Sequence, residues 1–128
     1  MPSAPRILTF AERHGWKFFV GLGLLYVLFG VSDLSIAVTI DSRKLALALL
    51  AIGLLGTAIS LTGLRRGERW AWLAMWVYPA HAAVDYSLVL SRPGGPPAVS
   101  ASVGILLIII PAMALGLSYR RYLSTPHR

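Results

Sequence analysis

Three ionisable side chains lie where an apolar chain should have none. Asp33, His81 and Asp85 each sit inside a long run of hydrophobic residues. An aspartate at the centre of a membrane-spanning helix costs about 2.5–3.5 kcal/mol on insertion scales, so its presence asks for a reason. His81 and Asp85 are spaced to share one helical face. Tyr26 precedes Asp33 by seven residues, and Tyr78 precedes Asp85 by seven. That spacing is almost two helical turns, so each tyrosine is stacked along the face that bears its aspartate. Ser35 and Ser87 follow the two aspartates, and the Tyr, Asp and Ser pairs all share an offset of 52 residues. The pattern reads as an internal repeat of two parallel helix hairpins, related by an axis along the membrane normal.

If the two faces meet, Asp33, Asp85, His81, Tyr26 and Tyr78 form one polar ligand-binding pocket. Two carboxylates with an imidazole can attract a cation, relay protons or do acid–base chemistry on a lipid-like substrate. The bland alternative pairs His81 with Asp85 on their own helix and lets Asp33 reach the outer interface, where it orients the bundle. No metal is expected, because His81 and two aspartates lack a recognisable ligand spacing. No cofactor is expected either. Gly94-Gly95 is flanked by prolines and opens no phosphate-binding strand–helix unit. No nucleophile elbow accompanies His81 and Asp85, and no second histidine lies within an apolar run to share a haem. The absence of cysteine excludes disulfides, thiolate metal sites and cysteine nucleophiles.

The elements that must position these groups follow from composition. Of 128 residues, 56% are hydrophobic and only 13% charged, about half the charge of a soluble domain. An integral membrane protein is the class that remains. Spans of about 20 mostly apolar residues can be laid at Lys17–Val38, Leu45–Leu64, Trp70–Leu90 and Val99–Tyr119. Asp41–Lys44, Arg65–Arg69 and the Pro/Gly stretch Ser91–Pro97 are the expected links. The first span is too long for a signal-peptide core and no small-residue cleavage site follows it, so it is read as a mature helix. The expectation is therefore an all-α, up-down bundle of four transmembrane helices, with residues 1–128 as a single integral membrane domain.

Orientation follows from twelve basic residues set against five acidic ones. Nine of them (Arg6, Arg13, Lys17, Arg65, Arg66, Arg69, Arg120, Arg121 and Arg128) fall on the side of the termini, and three (Arg43, Lys44 and Arg92) on the other. The positive-inside rule puts both termini in the cytoplasm. The net charge of +7 is then a topology signal rather than a nucleic-acid surface, and its partner is the lipid bilayer, with anionic head groups near the basic tails. Trp16, Trp70, Trp72, Tyr119 and Tyr122 mark the cytoplasmic interface. Asp33 lies about 24 Å beyond Lys17 and Asp85 about 22 Å beyond Trp70, so both reach the outer leaflet at similar depth, with His81 one turn deeper. Gly53-x-x-x-Thr57 and Gly56-x-x-x-Ser60, with Gly21, Gly23 and Gly30, suit close helix approach. Pro79 and Pro111 are expected to kink the third and fourth spans.

The stretch Arg66-Gly67-Glu68-Arg69-Trp70-Ala71-Trp72, opening a span that holds a proline and an aspartate, resembles a pattern in small four-helix bacterial membrane proteins. That resemblance implies the four-helix architecture and transfers no activity; the expected location is the bacterial cytoplasmic (inner) membrane, crossed in several passes. His81-x-x-x-Asp85 is also similar to the intramembrane acid and histidine arrangement of sterol-isomerase-like proteins, although no span here carries a glutamate. Small multidrug transporters share the length and span count, but their key acid is a glutamate in the first span. Asp33 stands in its place here, nearer the outer end. The leading expectation is a small membrane protein whose outer-leaflet pocket binds a lipid-like or cationic small molecule. The alternatives are an accessory subunit that assembles as a homo-oligomer or within a larger membrane complex, and a membrane-embedded acid–base enzyme or proton-coupled transporter.

Overall fold

The computed structural model describes residues 6–91, 93–94 and 98–124. Arg92, Gly95–Pro97 and Arg128, to which the sequence reading gave roles in links and charge balance, lie outside the described residues. Five α-helices follow one another: α1 (Arg6–Ile36), α2 (Ile40–Ile59), α3 (Arg69–Met75), α4 (Val77–Leu90) and α5 (Ala98–Leu123). A π-helical turn, Ser60–Leu64, extends α2, and no strand occurs among the described residues.

The turn between α1 and α2 is shorter than expected. Asp41–Lys44 is not a link but the first turn of α2. Thr39 explains the shift, because its Oγ1 accepts the Ser42 N–H at 3.2 Å while Ser42 Oγ accepts the Thr39 N–H at 3.1 Å. That reciprocal capping box satisfies two otherwise orphaned donors, and Asp41 adds a favourable charge near the helix N-terminus.

The third expected span, Trp70–Leu90, is not one continuous helix. It breaks at Trp76 into α3 and α4. Pro79 supplies the cause: it has no N–H for the carbonyl of Met75, and its ring crowds that carbonyl. α3 accordingly ends at Met75, and Pro79 falls in the first turn of α4, where a missing donor costs nothing. Pro111, by contrast, lies within an unbroken α5.

The second span loosens where its hydroxyls bond backwards. Thr57, Ser60 and Thr62 donate to the carbonyls of Gly53, Gly56 and Ala58 at 2.8, 2.7 and 2.8 Å, a pattern that bends helices. The ladder widens there, and the Arg65 N–H reaches Ser60 O. The corner that follows turns on Gly67 at φ +80°, a conformation that costs glycine nothing. Glu68 does not pair with Arg65 or Arg69. Its carboxylate accepts the Trp70 indole N–H instead.

Small residues let α1 and α2 touch backbone to backbone. A Cβ on Gly53 would lie 2.7 Å from Gly23 O, and one on Gly30 would lie 2.9 Å from Leu50 N. The pairing runs antiparallel, with Gly23 against Gly53 and Thr57, and Gly30 against Leu50 and Ala46. Gly21 stands clear of this seam.

The aromatic core occupies one half of the bundle. Phe19, Leu22 and Tyr26 of α1 meet Leu64, then Trp72 and Met75 of α3, Tyr78 of α4, and Leu115 and Tyr122 of α5. Buried donors there find carbonyls: Trp72 Nε1 donates to Leu115 O at 3.0 Å and Tyr122 Oη to Leu64 O at 3.1 Å. At the same end Arg121 donates to Arg65 O at 3.0 Å and also to Glu12 O. One side chain thereby fastens α5 to α1 and to the end of the second span.

Among the described residues three helices are long and apolar enough to cross a membrane: Glu12–Ile36, Ile40–Leu64 and Ala101–Leu123. No more than 28% of the most apolar stretch of any of them is buried inside the bundle. Leu28, Leu54, Leu55, Val84, Leu88 and Leu106 all face outward. Apolar surface of that extent is suited to lipid rather than water.

Candidate functional site

The half of the bundle beyond the aromatic core is not filled. A cavity of about 420 Å³ opens between α1, α2, α4 and α5, a size that admits a small organic molecule. α1 contributes Tyr26, Phe29 and Asp33, and α4 contributes His81, Asp85 and Tyr86. Leu49 of α2 with Val103 and Leu107 of α5 close the apolar wall. The spacings explain the selection. Tyr26, Phe29 and Asp33 recur at three and four residues, as do Ala82, Asp85 and Val89, so each set lies on one helical face.

Four of the five residues expected in the pocket line it. The fifth, Tyr78, stands behind it. Its ring is fully buried, its Oη donates to Ile52 O at 3.4 Å, and it fills the space above Gly56. Tyr26 separates Tyr78 from the cavity, with its ring centroid 5.0 Å from that of Tyr78 and 5.8 Å from the His81 ring. The Tyr26 and His81 rings thus form the cavity floor with Tyr78 behind them, and the two aspartates lie farther along their helices.

The pairing of His81 with Asp85 does not form. Among the described residues neither Asp33 nor Asp85 has an ion pair or a hydrogen bond, and the one ion pair present is Lys44 to Asp41 at 3.8 Å, on the surface. His81 Nδ1 is sealed from solvent and has no hydrogen-bond partner. Asp33, His81 and Asp85 do not converge into a metal-binding group among the described residues. Asp33 and Asp85 are both exposed on the cavity side of their helices.

Sequence reasoning missed Phe29, Tyr86 and Gly104. Tyr86 adjoins Asp85 and so points about 100° away on a helical wheel, which hides it from a search along one face. It belongs to the site because Gly104 leaves room for it: a Cβ on Gly104 would sit 2.6 Å from Tyr86 Cδ2. A glycine in an apolar span gives no sign of which ring it accommodates.

The cavity's chemistry is one-sided. Among the described residues two carboxylates line it and no lysine or arginine does. Both carboxylates are open to the cavity, where each can attract a positive charge. Tyr26, Phe29 and Tyr86 add ring faces that a cation can approach. No protein-family model, curated protein or solved structure matches the chain. Function must therefore be read from the cavity itself.

Proposed function

We propose that the chain is a four-crossing protein of the bacterial inner membrane whose cavity binds an amphipathic organic cation. In this reading α3 and α4 together make the third crossing, the helices alternate in direction, and both termini face the cytoplasm. The antiparallel seam of α1 and α2 supports the alternation, and the uneven spread of basic residues supports the orientation.

The observation that carries the ligand is the pair of uncompensated carboxylates in an aromatic-lined cavity. Neither has a positive partner among the described residues, and a cation in the cavity would supply one. The positive head of the ligand lies toward Asp33 and Asp85, and its apolar body rests on Phe29, Leu49 and Leu107. The test is equilibrium binding of radiolabelled tetraphenylphosphonium to the full chain in lipid nanodiscs. The double variant Asp33→Asn with Asp85→Asn should weaken binding by about tenfold or more, since each lost charge contact removes on the order of 1 kcal/mol. Equal binding by the double variant, or equal binding of a neutral tetraphenyl analogue, would overturn the reading.

A further inference from the structure

The opposite end of the bundle carries a second concavity that cation binding leaves unused. It is an open groove of about 560 Å³, formed by Thr9, Glu12 and Arg13 of α1 with Arg120, Arg121 and Ser124 of α5. Among the described residues three guanidinium groups and one carboxylate line it, the reverse of the charge in the cavity. Arg121 is held in position by the carbonyls of Glu12 and Arg65. Arg13 and Arg120 are exposed, and Arg120 Nε lies 3.3 Å from Tyr119 Oη. The Thr9 and Ser124 hydroxyls direct their protons to the carbonyls of Arg6 and Arg120. Recognition in the groove therefore falls to the arginines, whose planar forks suit a phosphate.

Depth identifies the source of that phosphate. The apolar run of α1 begins after Lys17 and that of α5 ends at Tyr119. The groove, lined by residues 9–13 and 120–124, therefore sits just outside the apolar level of both helices, where phospholipid phosphates lie. We propose that it seats the phosphate of an anionic phospholipid, bridging the start of α1 and the end of α5. Arg13 and Arg120 are its ligands, and Arg121, bonded to the Glu12 and Arg65 carbonyls, braces the groove.

The experiment counts lipid retained by the full chain in neutral detergent by native mass spectrometry, using dioleoylphosphatidylglycerol, dioleoylphosphatidylcholine and inorganic phosphate. Wild type should retain the anionic lipid about tenfold better than the zwitterionic one. Arg13→Gln with Arg120→Gln should erase that preference, and Arg43→Gln with Lys44→Gln at the far end should leave it intact. The thermal unfolding midpoint of each variant in the same detergent shows that the bundle persists. Equal retention of the two lipids by wild type would overturn the proposal, as would an undiminished preference in the Arg13/Arg120 variant. Displacement of the lipid by inorganic phosphate would also overturn it, by assigning the groove to a soluble phosphate.

Discussion

Tyr26 and Tyr78 meet edge to face, with ring centroids 5.0 Å apart and planes at 79°. Their contact marks the border between a filled and an unfilled half of the bundle. On one side Tyr78 is anchored to α2 through Ile52 O, and on the other Tyr26 presents its ring to His81. The pair joins α1 to α4 through side chains and forms the base on which the cavity stands.

The seat of Tyr78 is Gly56, and a methyl group there is the sharpest perturbation of this base. A Cβ on Gly56 would lie 1.9 Å from Tyr78 Oη and 2.6 Å from its Cζ. Gly56→Ala should destabilise the bundle by about 1–3 kcal/mol, the usual cost of overpacking. Unfolding in detergent, followed by circular dichroism, measures it. Because the nearest clash is with the hydroxyl, adding Tyr78→Phe should return part of the loss, and the double variant should lose less than the sum of the singles.

Trp72 tests the hydrogen bonds that close the core. Trp72→Phe keeps an aromatic ring but removes the donor to Leu115 O. A loss of about 1–3 kcal/mol is expected, because the carbonyl loses its indole donor and the smaller ring leaves part of the buried site empty. Tyr122→Phe, which loses the bond to Leu64 O, should cost a similar amount. The two rings stack at 6.5 Å, so the combined variant should depart from additivity in the same unfolding assay.

Asp33→Asn and Asp85→Asn should behave oppositely to the core variants. Neither carboxylate supports an internal contact, so each single variant should unfold at or above the wild-type temperature while binding tetraphenylphosphonium more weakly. A large fall in melting temperature for either would mean that the carboxylate holds the bundle together.

Pro79→Ala should repair the break at Trp76. The new N–H can reach the Met75 carbonyl, allowing α3 and α4 to run as one helix. Hydrogen exchange should slow across residues 76–80, and thermal stability should hold or rise. Straightening displaces His81 and Asp85 relative to Tyr26, so affinity for the cation should fall even though no lining residue has changed.

The class of the fold was legible because hydrophobic runs and their lengths are one-dimensional facts. Asp33, His81, Asp85 and Tyr26 were legible for a related reason: polar groups in apolar runs stand out, and helical periodicity groups them. What was hidden depends on partners distant in sequence. Nothing near Tyr86 announces Gly104, and nothing near Tyr78 announces Gly56, although both fits decide which rings reach the cavity. Helix ends were misplaced where local chemistry outweighed hydropathy. The polar Asp41–Lys44 stretch looks like a link until Thr39 and Ser42 are seen as a reciprocal cap, and the break at Trp76 requires following Pro79 back to Met75.

The Arg121 fastening also bears on the order in which the bundle forms. Gly23 and Gly53 lie in adjacent helices joined by a three-residue turn, Ala37–Thr39, so α1 and α2 can zip together as soon as both have left the ribosome. Glu12 and Arg121 are 109 residues apart, and the entropy of closing so long a loop opposes their meeting until the intervening helices are in place. The seam between α1 and α5 is thus the last to close, and the cavity takes its final shape only when that late contact forms.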